Sequence, residues 1–113
     1  MQIQINTDHH IEGHETLSAW ASGEVKTAMA RHSDHITRVE IHLADDNANK
    51  GRPSDKRCVL EARIEGRPPL VVTERAENFH QSVTGAIDKL HRLIESTLGR
   101  AARSDTAPRA DLA

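Results

Sequence analysis

Tyrosine is absent from this 113-residue chain, and the aromatic set is one tryptophan, Trp20, and one phenylalanine, Phe79. Single-stranded nucleic acid is commonly gripped by stacking bases on exposed aromatics. No extended platform of that kind can be assembled here, and the core must be mostly aliphatic. Cysteine occurs once, as Cys58. A lone thiol forms no internal disulfide, which fits a reducing compartment. No apolar run approaches the roughly 20 residues of a membrane span. The N-terminal Met1-Gln2-Ile3-Gln4-Ile5 lacks the basic flank and long apolar stretch of a secretory signal. The expectation is a cytoplasmic protein that does not enter a membrane. Also missing are a phosphate-binding Walker loop, a dinucleotide glycine motif and an ordered Ser/His/Asp set. Enzyme activity therefore has no positive support, and no cofactor or small-molecule substrate is expected.

Charge is present but unevenly placed. The chain carries 15 Lys and Arg against 17 Asp and Glu, a formal net charge of −2. Residues 1–46 hold three basic and eight acidic side chains, whereas residues 50–103 hold eleven basic and seven acidic. The second half can thus present a locally basic surface despite the acidic total.

Hydrophobic spacing predicts the elements. Residues 2–6 alternate as a short strand with one buried face. Residues 14–31 place Leu17, Trp20, Ala21, Val25, Ala28 and Met29 on one helical stripe, with Glu15 and Arg31 complementing the helix dipole. Residues 36–44 alternate again, Val39, Ile41 and Leu43 against Arg38, Glu40 and His42. A polar loop from Asp45 to Ser54, with Gly51 and Pro53, leads to a strand at about 56–65 whose inward set is Cys58, Leu60, Ala62 and Ile64. Gly66-Arg67-Pro68 turns the chain into a strand at about 70–74. A last helix at about 78–98 carries Phe79, Val83, Ala86, Ile87, Leu90, Ile94 and Leu98, with Asn78 as N-cap and Gly99 as its stop. Residues 100–113 have almost no large apolar side chain and read as a disordered tail. The fold class is α+β, in the order β-α-β-β-β-α. Residues 1–99 form one domain, with both helices on one face of a four-stranded sheet. The alternation points to an antiparallel sheet with its other face open to solvent or a partner.

Each candidate for chemistry has a plainer alternative. Cys58 is in phase with Leu60 and Ile64, so it reads as a buried small hydrophobe rather than a nucleophile. His9, His10 and His14 lack a second ligand cluster at familiar spacing, and His32 and His35 sit on a turn. No metal site is expected. Asp45-Asp46-Asn47-Ala48-Asn49-Lys50 faintly resembles a calcium loop without its glycine and closing glutamate, so it reads as a solvated loop. The basic residues are Arg38, Lys56, Arg57, Arg63, Arg67 and Arg75 on the strands and their loops, and Lys89 and Arg92 on the last helix. Three residues apart, Lys89 and Arg92 share a helix face. It lies opposite the apolar stripe, so both should be exposed.

The last helix carries a resemblance. Asn78 to Ile94 resembles the closing helix of the hibernation-promoting factor and ribosome-associated inhibitor family. It has an aromatic near its start, Phe79, and an Ile-Asp-Lys-Leu-x-Arg core in Ile87, Asp88, Lys89, Leu90 and Arg92. Ile36 to Leu43 is similar to the family's second strand, and Asp55 to Arg63 to its third. The element order is also the family's, and the resemblance spans about residues 1–100. It implies a bacterial protein that binds the small ribosomal subunit, in the channel where messenger and transfer RNA sit. Translation would be blocked sterically in starved or stationary cells. The resemblance also implies ribosomal-RNA contacts through basic residues: Lys89 and Arg92 first, then Arg38, Lys56, Arg57 and Arg63. Departures are Glu24 and Thr27 where relatives often carry lysines on helix one, His80 in place of a usual Tyr, and Thr84 in place of a usual Asp. The free protein is expected to be a monomer. Two rival readings stay open: a protein-interaction module, favoured by Glu24, Thr27 and the net charge, and a metal- or redox-sensing module using the histidines or Cys58.

Overall fold

A computed structural model describes residues 1–8, 11, 13–46 and 56–111, the last twelve of these as backbone only. Its elements are β1 (Gln2–Thr7), α1 (His14–Met29), a 3₁₀ turn (Ala30–His32), β2 (Ile36–Asp45), β3 (Lys56–Ile64), β4 (Leu70–Ala76) and α2 (Phe79–Asp111). His9, His10, Gly51, Pro53, Asp55 and the Asn47–Lys50 part of the calcium-like stretch lie outside the described residues.

The sheet order is β1-β2-β3-β4. β2 with β3, and β3 with β4, are antiparallel, but β1 runs parallel to β2, with Ile3 beside Val39 and Ile5 beside Ile41. The sheet is therefore mixed, not the antiparallel sheet expected. The cause is α1. A helix laid across the sheet returns the chain to the end where β1 began, so the next strand points the same way. Alternation reports a covered face and says nothing about strand direction. The β3–β4 turn closes through an Arg67 N–H donating to the Ile64 carbonyl at 3.1 Å, with Gly66 at φ 76°, a left-handed position that glycine occupies without steric cost.

Both helices cover one sheet face. Val39, Ile41 and Leu43 of β2 and Cys58, Leu60, Ala62 and Ile64 of β3 meet Ala21, Val25 and Met29 of α1 and Val83, Ala86, Ile87, Leu90 and Ile94 of α2. All are buried, each large one worth about 1.5–3 kcal/mol of transfer free energy. Asn78 caps α2 as expected, its Oδ1 accepting the Gln81 N–H at 2.8 Å. Gly99 does not stop the helix. α2 continues to Asp111, and Gly99 is not among the positive-φ glycines. A glycine inside a helix costs only about 1 kcal/mol, and Ala101, Ala102 and Arg103 are good helix formers, so propensity carries the backbone across the expected boundary.

Candidate nucleic-acid interface

The uncovered sheet face is set by strand parity. Residues alternating with the core set form transverse rows: Gln2, Arg38 and Arg63; then Gln4, Glu40, Glu61 and Val71; then Asn6, His42, Val59 and Thr73; then Ala44, Arg57 and Arg75. Two arginine rows thus flank an acidic row and a largely neutral one. Val71, 52 % exposed, is the most exposed branched aliphatic side chain of the face. Gln2, Thr37, Arg38 and Arg63 line an open depression of about 410 Å³ at one end. His42, Ala44, Arg57, Val59 and Glu61 line a second hollow.

Each arginine of this face already meets a carboxylate. Arg38 pairs with Glu40, and Arg63 with Glu61 at 2.8 Å and more distantly with Glu40 at 3.7 Å. His42 Nε2 stands 3.6 Å from the other Glu40 oxygen. The Arg38 hydrogen bond, backed by the charges of Arg38, Arg63 and His42, holds the Glu40 carboxyl below its usual pKa. Asp46 receives both Arg57 at 3.2 Å and Arg75 at 3.0 Å. Asp45 and Asp46 are thus used in ion pairs, and Asp45 bonds Lys56 across the β2–β3 register at 3.0 Å. Lys56 shares the parity of Cys58 and sits at the end of the covered face, so it does not join Arg57 on the open one.

Lys89 and Arg92 lie on the exposed flank of α2, as expected, but in different states. Lys89 Nζ reaches the Glu74 carboxylate at 2.7 Å and the Thr73 carbonyl at 2.9 Å. It straps the helix to β4, the sheet's edge strand, and occupies an edge acceptor that would otherwise be open to pairing. Glu74 in turn packs on Gly85, one turn before Lys89, where any Cβ would overlap its carboxylate. Arg92 bonds only weakly to its own helix, Nε to the Asp88 carbonyl at 3.4 Å. The six expected contact residues therefore fall into three places. Arg38, Arg57 and Arg63 lie on the open face, Lys56 at the end of the covered face, and Lys89 and Arg92 on the exposed side of α2, Lys89 against β4. Arg75 belongs with Arg57 by register.

Two further features bear on the rival readings. Cys58 is fully buried, and burial, helped by the charge of Glu74, pushes its thiol up to about 12, so it does not ionise at neutral pH. Among the described residues no three His, Cys, Asp or Glu side chains gather to hold a metal ion. Likewise, no described helix is long and apolar enough to cross a membrane. Sequence reading missed one contact: His32, on the 3₁₀ turn, meets His91 of α2. Nothing in either segment signals the other, because the pairing exists only once α2 lies beside α1.

The architecture is that of a small α+β domain: two helices on one side, an arginine-bearing sheet on the other. The family is shown by the sequence profile of the "Sigma 54 modulation protein / S30EA ribosomal protein" family, which matches residues 3–101, and the chain belongs to it. The fold is shared with a ribosomal subunit interface protein from Coxiella burnetii (TM-score 0.65, 14% identity, covering 88% of this chain and 99% of that one). It is shared equally with the N-terminal domain of Thermus thermophilus Protein Y (TM-score 0.66, 15% identity, 86% and 99% covered). Comparison with curated protein sequences gives no match.

Proposed function

We propose that the domain associates with the ribosome, on the small subunit, by laying its cationic surfaces on ribosomal RNA, and that it blocks translation sterically without catalysing a reaction. The observation that carries this reading is family membership across residues 3–101, in a family whose description names a ribosomal protein. The Coxiella burnetii relative of the same fold is itself described as a ribosomal subunit interface protein. The surface fits a polyanion. Arg38, Arg57, Arg63 and Arg75 outnumber Glu40, Glu61 and Asp46 on the open face, and Arg92 stands exposed on α2. The carboxylate partners do not close these arginines to phosphate. Exposed ion pairs are worth about 0–1 kcal/mol each, and neutralising RNA phosphates releases condensed counterions. Among the described residues the face has no Phe, Tyr or Trp, so contact would be chiefly to phosphates and sugars and not to stacked bases.

Cosedimentation with purified small subunits across a salt series tests this. Affinity should fall steeply with salt, and Arg38→Ala with Arg63→Ala should lower the slope of log K against log salt by about 1.4–1.8. A salt-independent association would instead favour the protein-interaction reading. That alternative draws on Glu24 and Thr27, both exposed on α1, and on the carboxylate that each of the face's arginines already meets.

A further inference from the structure

At the seam between the 3₁₀ turn and α2, three nitrogen-bearing side chains converge. His32 Nε2 lies 3.2 Å from His91 Nδ1, with ring centroids 5.3 Å apart. Arg31 approaches both, Nε at 3.4 Å from His32 Nε2 and Nη2 at 3.4 Å from His91 Nδ1. The geometry is over-supplied with donors. A bond between the two rings needs one N–H and one lone pair. Whichever ring donates, Arg31 then points an N–H at a nitrogen that already carries one. The carboxylate paired with Arg31 is Glu95, 3.3 Å from its Nη2, and both of those side chains are more than half exposed. The pair is therefore weak and readily exchanged.

We propose that this seam is a proton-dependent phosphate contact. Arg31 and His91 donate to the phosphate oxygens, and buried His32 is a positioning residue that holds the His91 ring by sharing its proton. When the ring pair gains a proton, its one remaining lone pair is taken by the ring-to-ring bond and every other nitrogen of the cluster is a donor; a phosphate brings several strong acceptor oxygens and takes Glu95's place on Arg31. The groups facing the pair are Arg31 and His35 from the turn side and Asp88 and Glu95 from α2. Without an anion, burial and the Arg31 charge hold both rings below their usual pKa, in spite of Glu95. Protonation and phosphate binding therefore favour each other. The proposal rests on the RNA-binding reading for the source of the phosphate, an RNA backbone held along the helix that also bears Lys89 and Arg92. Free phosphate has the same chemistry.

The test has two arms. In the first, ring resonances of His32 and His91 are titrated by NMR with and without inorganic phosphate at constant ionic strength. Both should titrate below about 6.5 alone and move upward with phosphate. The shift should vanish for His91→Gln and for Arg31→Ala, which is more than half exposed and so spares the fold. In the second, binding of small subunits is compared at pH 7.5 and 5.5. One linked proton permits at most about tenfold per pH unit, and a rise of about fivefold is expected. His91→Gln should lose most of that rise. A phosphate-insensitive ring titration overturns the proposal, as does a rise that survives in His91→Gln. If phosphate moves the rings but subunits bind at neither pH, the ribosome reading fails, and the site stands with free phosphate as its ligand.

Discussion

Gly85 offers a sharp test of how α2 is seated on the sheet. A Cβ built at this position overlaps the Glu74 side chain along its length, from Cγ at 2.8 Å and Cδ at 2.9 Å to the carboxylate. Gly85→Ala should therefore have two opposed effects. Helix propensity favours alanine by about 0.8–1.0 kcal/mol in a helix interior. Against that, the Glu74 side chain must swing out, and its 2.7 Å bond to Lys89 is lost. A half-exposed pair of this kind contributes about 0–1 kcal/mol, and the displaced side chain adds some rotamer strain. The single variant should consequently lie within about 0.5 kcal/mol of the parent. In a Glu74→Ala background the obstacle is gone, and Gly85→Ala should stabilise by about 1 kcal/mol. For a domain of this size that is roughly 4–8 °C in Tm. Urea unfolding of the four proteins of the cycle measures the coupling, expected at about 1 kcal/mol. Equal stabilisation in both backgrounds would refute the claim that Glu74 fills the space glycine leaves.

Three other outcomes follow from the same geometry. Leu60, fully buried in β3 beneath both helices, should cost about 2–5 kcal/mol on replacement by alanine, read from the urea midpoint. Glu40 has a depressed carboxyl pKa, so its contribution is present above the unfolded value of about 4.5 and is lost as pH falls through the lower folded value. Glu40→Gln should lower the Tm near pH 7, flatten the acid limb of the Tm–pH curve and converge with the parent at low pH. Cys58, with its thiol held up at about 12, should resist a thiol reagent at pH 8 in the native protein and react on unfolding in urea.

Much of the fold was written in side-chain spacing. Val39, Ile41 and Leu43, and again Cys58, Leu60, Ala62 and Ile64, alternate, and all are buried. The α2 stripe from Val83 to Ile94 and the Asn78 cap stand as expected. What was hidden is relational. The parallel pairing of β1 depends on where α1 delivers the chain, and the strap from Lys89 to Thr73 depends on the tilt of α2 over β4. Helical periodicity places Lys89 outside, correctly, but cannot say that its ammonium already has two partners. The same holds for Arg57 and Arg75: their shared Asp46 comes from a loop end that only the fold brings beside them. The His80 ring stacks on Trp20, their centroids 4.0 Å apart, an aromatic contact between the helices that the spacing of neither helix signals.

The acidic total is a poor guide to what this surface binds. Net charge sums over a sphere, while a bound polyanion meets one side at a range of about 8–10 Å, the Debye length at physiological salt. Within that range the open face presents four arginines and three carboxylates, and the carboxylates are spent as counterions to the arginines. Such internal counterions act like condensed salt: they lower the attraction and, by their displacement, add a cost to every phosphate gained. They also pre-orient the guanidinium groups, which reduces the rotamer entropy lost on binding. A domain built this way should bind more weakly than one with free lysines in the same rows. It should also respond more sharply to pH, because carboxylates released from arginine regain a normal affinity for protons. Glu40 meets Arg38, Arg63 and His42 together, so it is the group through which that response should be strongest.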